Sequence, residues 1–175
     1  VKTTFGNPQR EVEIDTASVR RLVSSLARGE GIRGGEVSIV FVDDAYIRDL
    51  KGRYLGARVA TDVLAFPLGD VHPTGGRGGR RRSRGPRAVE DDLLGEVYVS
   101  TERAIDQARQ GHIALSQEVA RLIVHGLLHL FGYRDDEVSS RVKMIRRQES
   151  FLRENRRLAM AVARRTARPG RRGGA

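Results

Sequence analysis

Residues 125–135 read His-Gly-Leu-Leu-His-Leu-Phe-Gly-Tyr-Arg-Asp. Two histidines four residues apart on a helix stand one above the other on the same face, so both imidazoles reach one divalent ion at about 2.0–2.1 Å. Gly132 lets the chain leave that helix sharply through a positive φ, and Asp135 then folds back over the same face to add a carboxylate oxygen. His125, His129 and Asp135 thus form a candidate metal site with a position left open for water. The competing reading is a buried helix whose histidines simply hydrogen-bond to their neighbours; the glycine and the acid at these offsets favour the metal. The two other histidines, His72 and His112, fall in expected loops and read as solvent-facing.

The same spacing occurs in metal-dependent peptidases, which need a Glu directly after the first His as general base. Here that residue is Gly126. Peptide hydrolysis is therefore the less favoured chemistry, and activation of water falls to the metal itself or to an acid elsewhere. Glu118, seven residues before His125 and nearly on its helix face, is one candidate base; the helix dipole alone also accounts for an acid in a first turn. The absence of cysteine excludes a disulfide scaffold, a thiolate zinc site, an iron–sulfur cluster and a cysteine nucleophile.

Several elements must position these residues. The helix expected from Ser116 to Phe131 is too apolar for a surface and should be central. Before it, Glu11–Ile14 alternates like a strand, Asp15 caps a helix to Leu26, and Val37–Val42 is a β-branched strand. Asp43 or Asp44 caps a helix to about Tyr54, and Thr61–Phe66 is a strand closed by Pro67. Leu94–Val99 follows as a strand, with Ser100 capping a helix over Thr101–Gln110. An amphipathic helix over Glu137–Val162 comes last. The order implies an α+β or α/β sandwich: a single domain over residues 1–163, with one mixed sheet packed by helices and a central metal-bearing helix.

With 32 Lys and Arg against 22 Asp and Glu, the 175-residue chain carries a net charge of +10. That charge is concentrated in two acid-free tracts. One lies in an aperiodic stretch at about 69–92, read as a flexible insertion, and holds Arg77, Arg80, Arg81, Arg82, Arg84 and Arg87. The other is a basic tail over 164–175, read as disordered. Arg- and Gly-rich tracts can follow a phosphate backbone without reading sequence, which makes these arginines candidate RNA contacts; a merely solvated loop and tail is the alternative. No apolar run approaches the length of a membrane span and the first residues show no apolar signal core, so a soluble, cytoplasmic protein is expected.

The residues then resemble a known family. The run His125-Gly-Leu-Leu-His-Leu-Phe-Gly-Tyr133, preceded by Thr61-Asp-Val-Leu-Ala-Phe-Pro67 and Leu94-Gly-Glu-Val-Tyr-Val-Ser100, is similar to the blocks of the bacterial rRNA maturation factor and endoribonuclease family YbeY, in the same order over roughly residues 36–150. The resemblance narrows the fold to α+β and implies one zinc ion per chain, with nickel or another divalent transition metal as alternatives. It also implies single-strand-specific RNA cleavage linked to 16S rRNA 3′-end processing and ribosome quality control, with the small ribosomal subunit as partner. His125 and His129 match the first two metal ligands, and Asp135 stands where the family usually has a third His. A family arginine that would hold phosphate is replaced by Leu55, so Arg53 or Arg58 is the expected substitute. Thr61 and Asp62 are expected to line the cleft, orient a ligand imidazole or cap a turn. The alternative function is a non-catalytic RNA-binding factor with a structural metal; a metallopeptidase is the third.

Overall fold

A computed structural model describes residues 1–56, 61–68 and 93–166. The expected insertion at about 69–92 and its arginines, Arg58, His72 and residues 167–175 lie outside the described residues.

The main sheet has four strands in the order β1-β3-β5-β4. These are β1 (Lys2–Gly6), β3 (Glu36–Val42), β5 (Leu93–Ser100) and β4 (Val63–Pro67). β1, β3 and β5 run parallel, while β4 is an antiparallel edge strand. Strand alternation divides the apolar residues between two faces. Val37, Ile39, Phe41, Val97 and Val99 enter the large core. Val42 and Leu64 enter a smaller one on the opposite face, with Val40, Phe66 and Tyr98 packed against it. Helix α2 (Asp44–Leu55) covers that second face through Ile47 and Leu50.

The expected α+β class holds, and the caps lie where short polar residues precede apolar periodicity. Asp15 accepts from Ser18 N–H at the start of α1 (Thr16–Gly29), Asp43 from Tyr46 N–H at α2, and Ser100 from Arg103 N–H at α3 (Thr101–Gln110). Several details differ from expectation. β1 carries little strand signal of its own, because Phe5 is the one large apolar residue in its five and no apolar alternation marks it; pairing with β3 and a 2.8 Å ion pair from Lys2 to Glu36 hold it. The sheet is also accompanied by a second one: β2 (Val12–Ile14) pairs antiparallel with β6 (Ala163–Arg165). Arg164 and Arg165, expected in the disordered tail, therefore lie in a strand, where Arg164 pairs with Glu13 at 2.6 Å.

The expected long last helix breaks in two, α5 (Val138–Glu154) and α6 (Arg156–Ala159). Asn155 interrupts it: its amide donates back to Phe151 O while its Oδ1 accepts from Ser25 Oγ, a local alternative to helical pairing. Ser116 is not a cap either. The central helix α4 (Leu115–Leu130) starts from Ala114, and buried Ser116 donates to Ala159 O at 2.8 Å and accepts from Ala163 N–H, pinning the end of the chain. Among the described residues no helix is long and apolar enough to cross a membrane.

Helix α4 is buried almost all round: Val119, Ala120, Leu122, Ile123, Val124, Leu127 and Leu128 are fully enclosed. It lies on the sheet at Gly126, where an added Cβ would come 2.5 Å from Val97 Cγ1 and 3.1 Å from Val63 Cγ2. The residue after the first histidine thus faces the sheet, and a glutamate there has no room. Gly126→Ala should lose about 1–3 kcal/mol to overpacking, outweighing a helix-propensity gain of at most ~1 kcal/mol. A urea midpoint equal to or above the parent's would show that the helix–sheet distance is not limited at this residue.

Candidate metal centre

A cleft of about 660 Å³ opens between the C-terminal half of α4 and strand β4. Thr61, Asp62, Val63 and Ala65 line one wall, His125 and His129 the other, and Tyr133, Arg134 and Asp135 close one end. The end is shaped by the stop of α4. Gly132 has φ 90°, its N–H donates to His129 O, and Tyr133 N–H donates to Leu128 O, the paired bonds of a Schellman turn. The chain therefore reverses over the histidine face as the spacing predicts, and Arg141 holds the loop by donating twice to the Asp135 carbonyl.

His125 Nε2 and His129 Nε2 are 3.3 Å apart. Two ligands about 2.0–2.1 Å from a tetrahedral ion are separated by about 3.3–3.4 Å, so the imidazoles already stand at ligand spacing. Asp135 Oδ2 lies 3.8 Å from His129 Nε2 and is half-exposed. One ligand atom from each of the three residues falls within 4.8 Å of the others, the only such group of three or more among the described residues. The donor set of two imidazoles and one carboxylate suits a divalent transition ion with a coordination position left over.

The tautomer is set from behind. Gln148 on α5 is 3% exposed, its amide nitrogen donates to Glu149, and its Oε1 therefore faces His125 and accepts from Nδ1–H at 3.1 Å. That leaves the Nε2 lone pair directed into the cleft. Burial, and next the neighbouring His129, push the His125 imidazole below its ordinary pKa, which favours the neutral form a metal needs. Gln148 is absent from the residues that the sequence analysis singles out. Its signal is a polar residue on the apolar stripe Met144, Gln148, Phe151, Leu152, and a buried polar group is the informative exception on such a stripe.

The remaining candidates separate. Thr61 and Asp62 line the cleft, but Asp62 does not orient an imidazole: it accepts from Val63 N–H at 2.9 Å and from Gln107 Nε2 at 3.0 Å, capping the start of β4. Glu118 is buried, accepts two bonds from Arg121, and stands two turns, roughly 10 Å along the axis, from His125. It does not line the cleft. Arg53 is in the last turn of α2, on the other face of the sheet, exposed and paired with Asp49 at 2.8 Å, so it does not reach this cleft either. His112 is an exposed turn residue with φ 49°. Among the described residues the cation that lines the cleft is Arg134, paired with Asp136 at 2.6 Å. The sequence holds it in plain view, between the turn glycine and the candidate acidic ligand.

The turn is also tied to the body of the protein. The Tyr133 hydroxyl donates to Glu30 Oε2 at 2.9 Å, and Arg147 Nε donates to Glu30 Oε1. Burial and the Glu30 carboxylate push the Tyr133 hydroxyl up, so it remains a donor.

The fold and site define an α+β protein whose HxxxH helix lies beside an edge strand and brings three candidate metal ligands, from that helix and the turn after it, to one cleft. The family model described as Endoribonuclease YbeY matches residues 4–156, and the chain belongs to that family. It is 37% identical over 130 residues to the Endoribonuclease YbeY of Syntrophus aciditrophicus, covering 74% of this chain and 73% of that one. To the Endoribonuclease YbeY of Pelotomaculum thermopropionicum it is 37% identical over 150 residues, covering 83% and 91%. The fold matches the solution structure of TM1509 from Thermotoga maritima with a TM-score of 0.55 at 21% identity, over 97% of this chain and 99% of that one.

Glu30→Ala would leave Arg147 and the Tyr133 hydroxyl without their acceptor. A loss of about 2–3 kcal/mol is expected in denaturant unfolding, with Glu30→Gln losing less because it keeps an acceptor for Tyr133. An alanine variant as stable as the parent would show that this anchor contributes nothing.

Proposed function

We propose that this chain is a metal-dependent, single-strand-specific endoribonuclease acting in the cytoplasm on rRNA at the 16S 3′ end and in ribosome quality control, with the small ribosomal subunit as partner. The observation that carries the reading is the convergence of His125, His129 and Asp135 on an open cleft. A structural zinc site is closed by four protein ligands, and no fourth His, Cys, Asp or Glu donor joins these three among the described residues, which speaks against a purely structural ion. Gly126, facing the sheet, speaks against a metallopeptidase.

The proposed ligands are His125 Nε2, His129 Nε2 and an Asp135 oxygen, with zinc as the ion and nickel or another divalent metal as alternatives. When bound, such an ion supplies Lewis acidity to a phosphoryl oxygen and acidifies water toward neutral pH. The chain's own residues do the rest. Gln148 holds His125 in the ligating tautomer. Tyr133, fixed by Glu30, keeps the turn and with it Asp135 against the cleft. Arg134 takes the phosphate-holding role expected of Arg53, because it lines the cleft and its exposed pair with Asp136 can be exchanged for a phosphate oxygen; Arg58, outside the described residues, remains a candidate for the same role. The arginines between Arg77 and Arg87 are proposed to add sequence-independent affinity for the RNA backbone.

Freshly purified parent protein should carry about one equivalent of divalent transition metal by elemental mass spectrometry, and His129→Ala little. Gln148→Leu should bind the ion roughly 10- to 100-fold more weakly. A folded parent that neither retains metal nor takes up added zinc or nickel would overturn the metal reading.

With metal restored, Arg134→Ala should cut single-stranded RNA at least about tenfold more slowly at unchanged metal content. Deleting residues 77–87 should instead flatten the dependence of RNA affinity on salt, by about 0.7 in the log–log slope for each phosphate that is no longer neutralised. Unchanged cleavage by the first variant, or an unchanged slope in the second, would remove that assignment.

A further inference from the structure

The chain has nine Phe and Tyr residues, and four of them gather on the face of the sheet opposite the metal cleft. Tyr46 stacks on Tyr98 with ring centres 6.2 Å apart and planes 21° from parallel. Tyr98 meets Phe66 edge-on at 5.9 Å, and Phe66 meets Tyr54 at 5.4 Å. The strip thus runs Tyr46, Tyr98, Phe66, Tyr54. Its middle is half-buried, while its ends are open to solvent, Tyr46 at 48% and Tyr54 at 68%. Leu68, at the end of β4, continues it and is 60% exposed.

We infer that this strip is a stacking platform for unpaired bases of single-stranded RNA, with Tyr54 and Tyr46 as its two base-contacting ends. The inference rests on the endoribonuclease reading for its choice of ligand. Two further observations support it. The first is exposure: Tyr54 and Tyr46, at the two ends of the strip, are 68% and 48% exposed, so each has ring surface on which a base can stack. Base–aromatic stacking suits a nuclease that reads strandedness, because every base has a π-face and only an unpaired one can present it. The second is position. β4 is the edge strand, and its alternation sends Leu64 and Phe66 toward the strip but Val63 and Ala65 toward α4 and the cleft. Among the described residues β4 is the last strand on this side of the sheet, so an RNA strand crossing it passes from the tyrosines to the histidines.

The test uses the full chain in EDTA, so that no cleavage occurs, and a single-stranded oligoribonucleotide carrying the fluorescent adenine analogue 2-aminopurine. Tyr54→Ala and Tyr46→Ala should each bind at least about fivefold more weakly, with less quenching of the fluorophore and an unchanged salt slope. Tyr54→Phe keeps the ring and should bind like the parent, whereas Tyr54→Leu, which keeps apolar bulk without a π-face, should behave like the alanine variant. An oligonucleotide of the same length with abasic residues should bind parent and variants alike. Alanine variants that bind as the parent does, equal losses on the abasic strand, a leucine variant that retains full affinity, or a parent with no affinity for the oligonucleotide would each overturn the platform. Cleavage after metal is restored separates the two readings. A parent that cuts RNA while its tyrosine variants bind normally disproves the platform alone; one that binds through the tyrosines and never cuts with any divalent ion disproves the nuclease alone.

Discussion

A helix that is apolar on all but one narrow stripe has one stable position, the middle of the molecule with that stripe at a margin, and the site depends on that constraint. Burying α4 puts Leu122, Ile123, Leu127 and Leu128 between the sheet and the surrounding helices, each worth about 1.5–3 kcal/mol in transfer free energy. Any imidazole on the same helix must then be either enclosed or at the margin where the sheet ends. His125 and His129 are at that margin because β4 is an edge strand: among the described residues no fifth strand fills the space beyond it, and the cleft is what remains. Gly126 sets how close the helix comes to the sheet and so the depth of that cleft.

Placing two imidazoles against an apolar core has an electrostatic consequence. Burial favours neutral His125, which is the state a metal requires, yet a neutral imidazole has two tautomers and only one directs Nε2 at the cleft. The choice is made by Gln148, reached from α5 rather than from α4 itself. The same helix supplies Arg147, which with Glu30 holds Tyr133 and the turn. One surface of α5 thus stabilises both halves of the donor set, the imidazole from behind and the carboxylate through its loop.

What could be read from the sequence follows from the range of the interactions involved. His125, His129, Gly132 and Asp135 are linked by helix geometry and one turn, all local, and their arrangement is legible. So are the caps at Asp15, Asp43 and Ser100, where a side chain bonds to a backbone N–H three residues on. Interactions across the fold are not. β1 exists through its pairing with β3, Ser116 serves Ala159 and Ala163 more than forty residues away, and Asn155 breaks the last helix with help from Ser25 on α1. Arg53 illustrates the limit most directly: its nearness to Leu55, where the family resemblance implies an arginine, suggests a substitute phosphate contact, while the position of α2 puts it on the far side of the sheet.

If Asp135 serves as the third ligand, in place of the imidazole that the family resemblance implies, its charge has to be weighed with Arg134 next to it. A carboxylate in place of a neutral ring lowers by one the positive charge a bound divalent ion presents, which weakens attraction for an anionic phosphodiester. Arg134, lining the same cleft, restores one positive charge at hydrogen-bonding reach of a phosphate, and in a bidentate form that a point charge lacks. That charge is paired with Asp136 at 2.6 Å on an exposed loop. A surface pair of this kind is held by little free energy, so a phosphate can displace the carboxylate at small cost. On the proposed assignment the positive charge that holds the substrate is divided between the ion site and Arg134, in keeping with a loop anchored at Tyr133 and carrying Arg134 in an exposed, exchangeable pair.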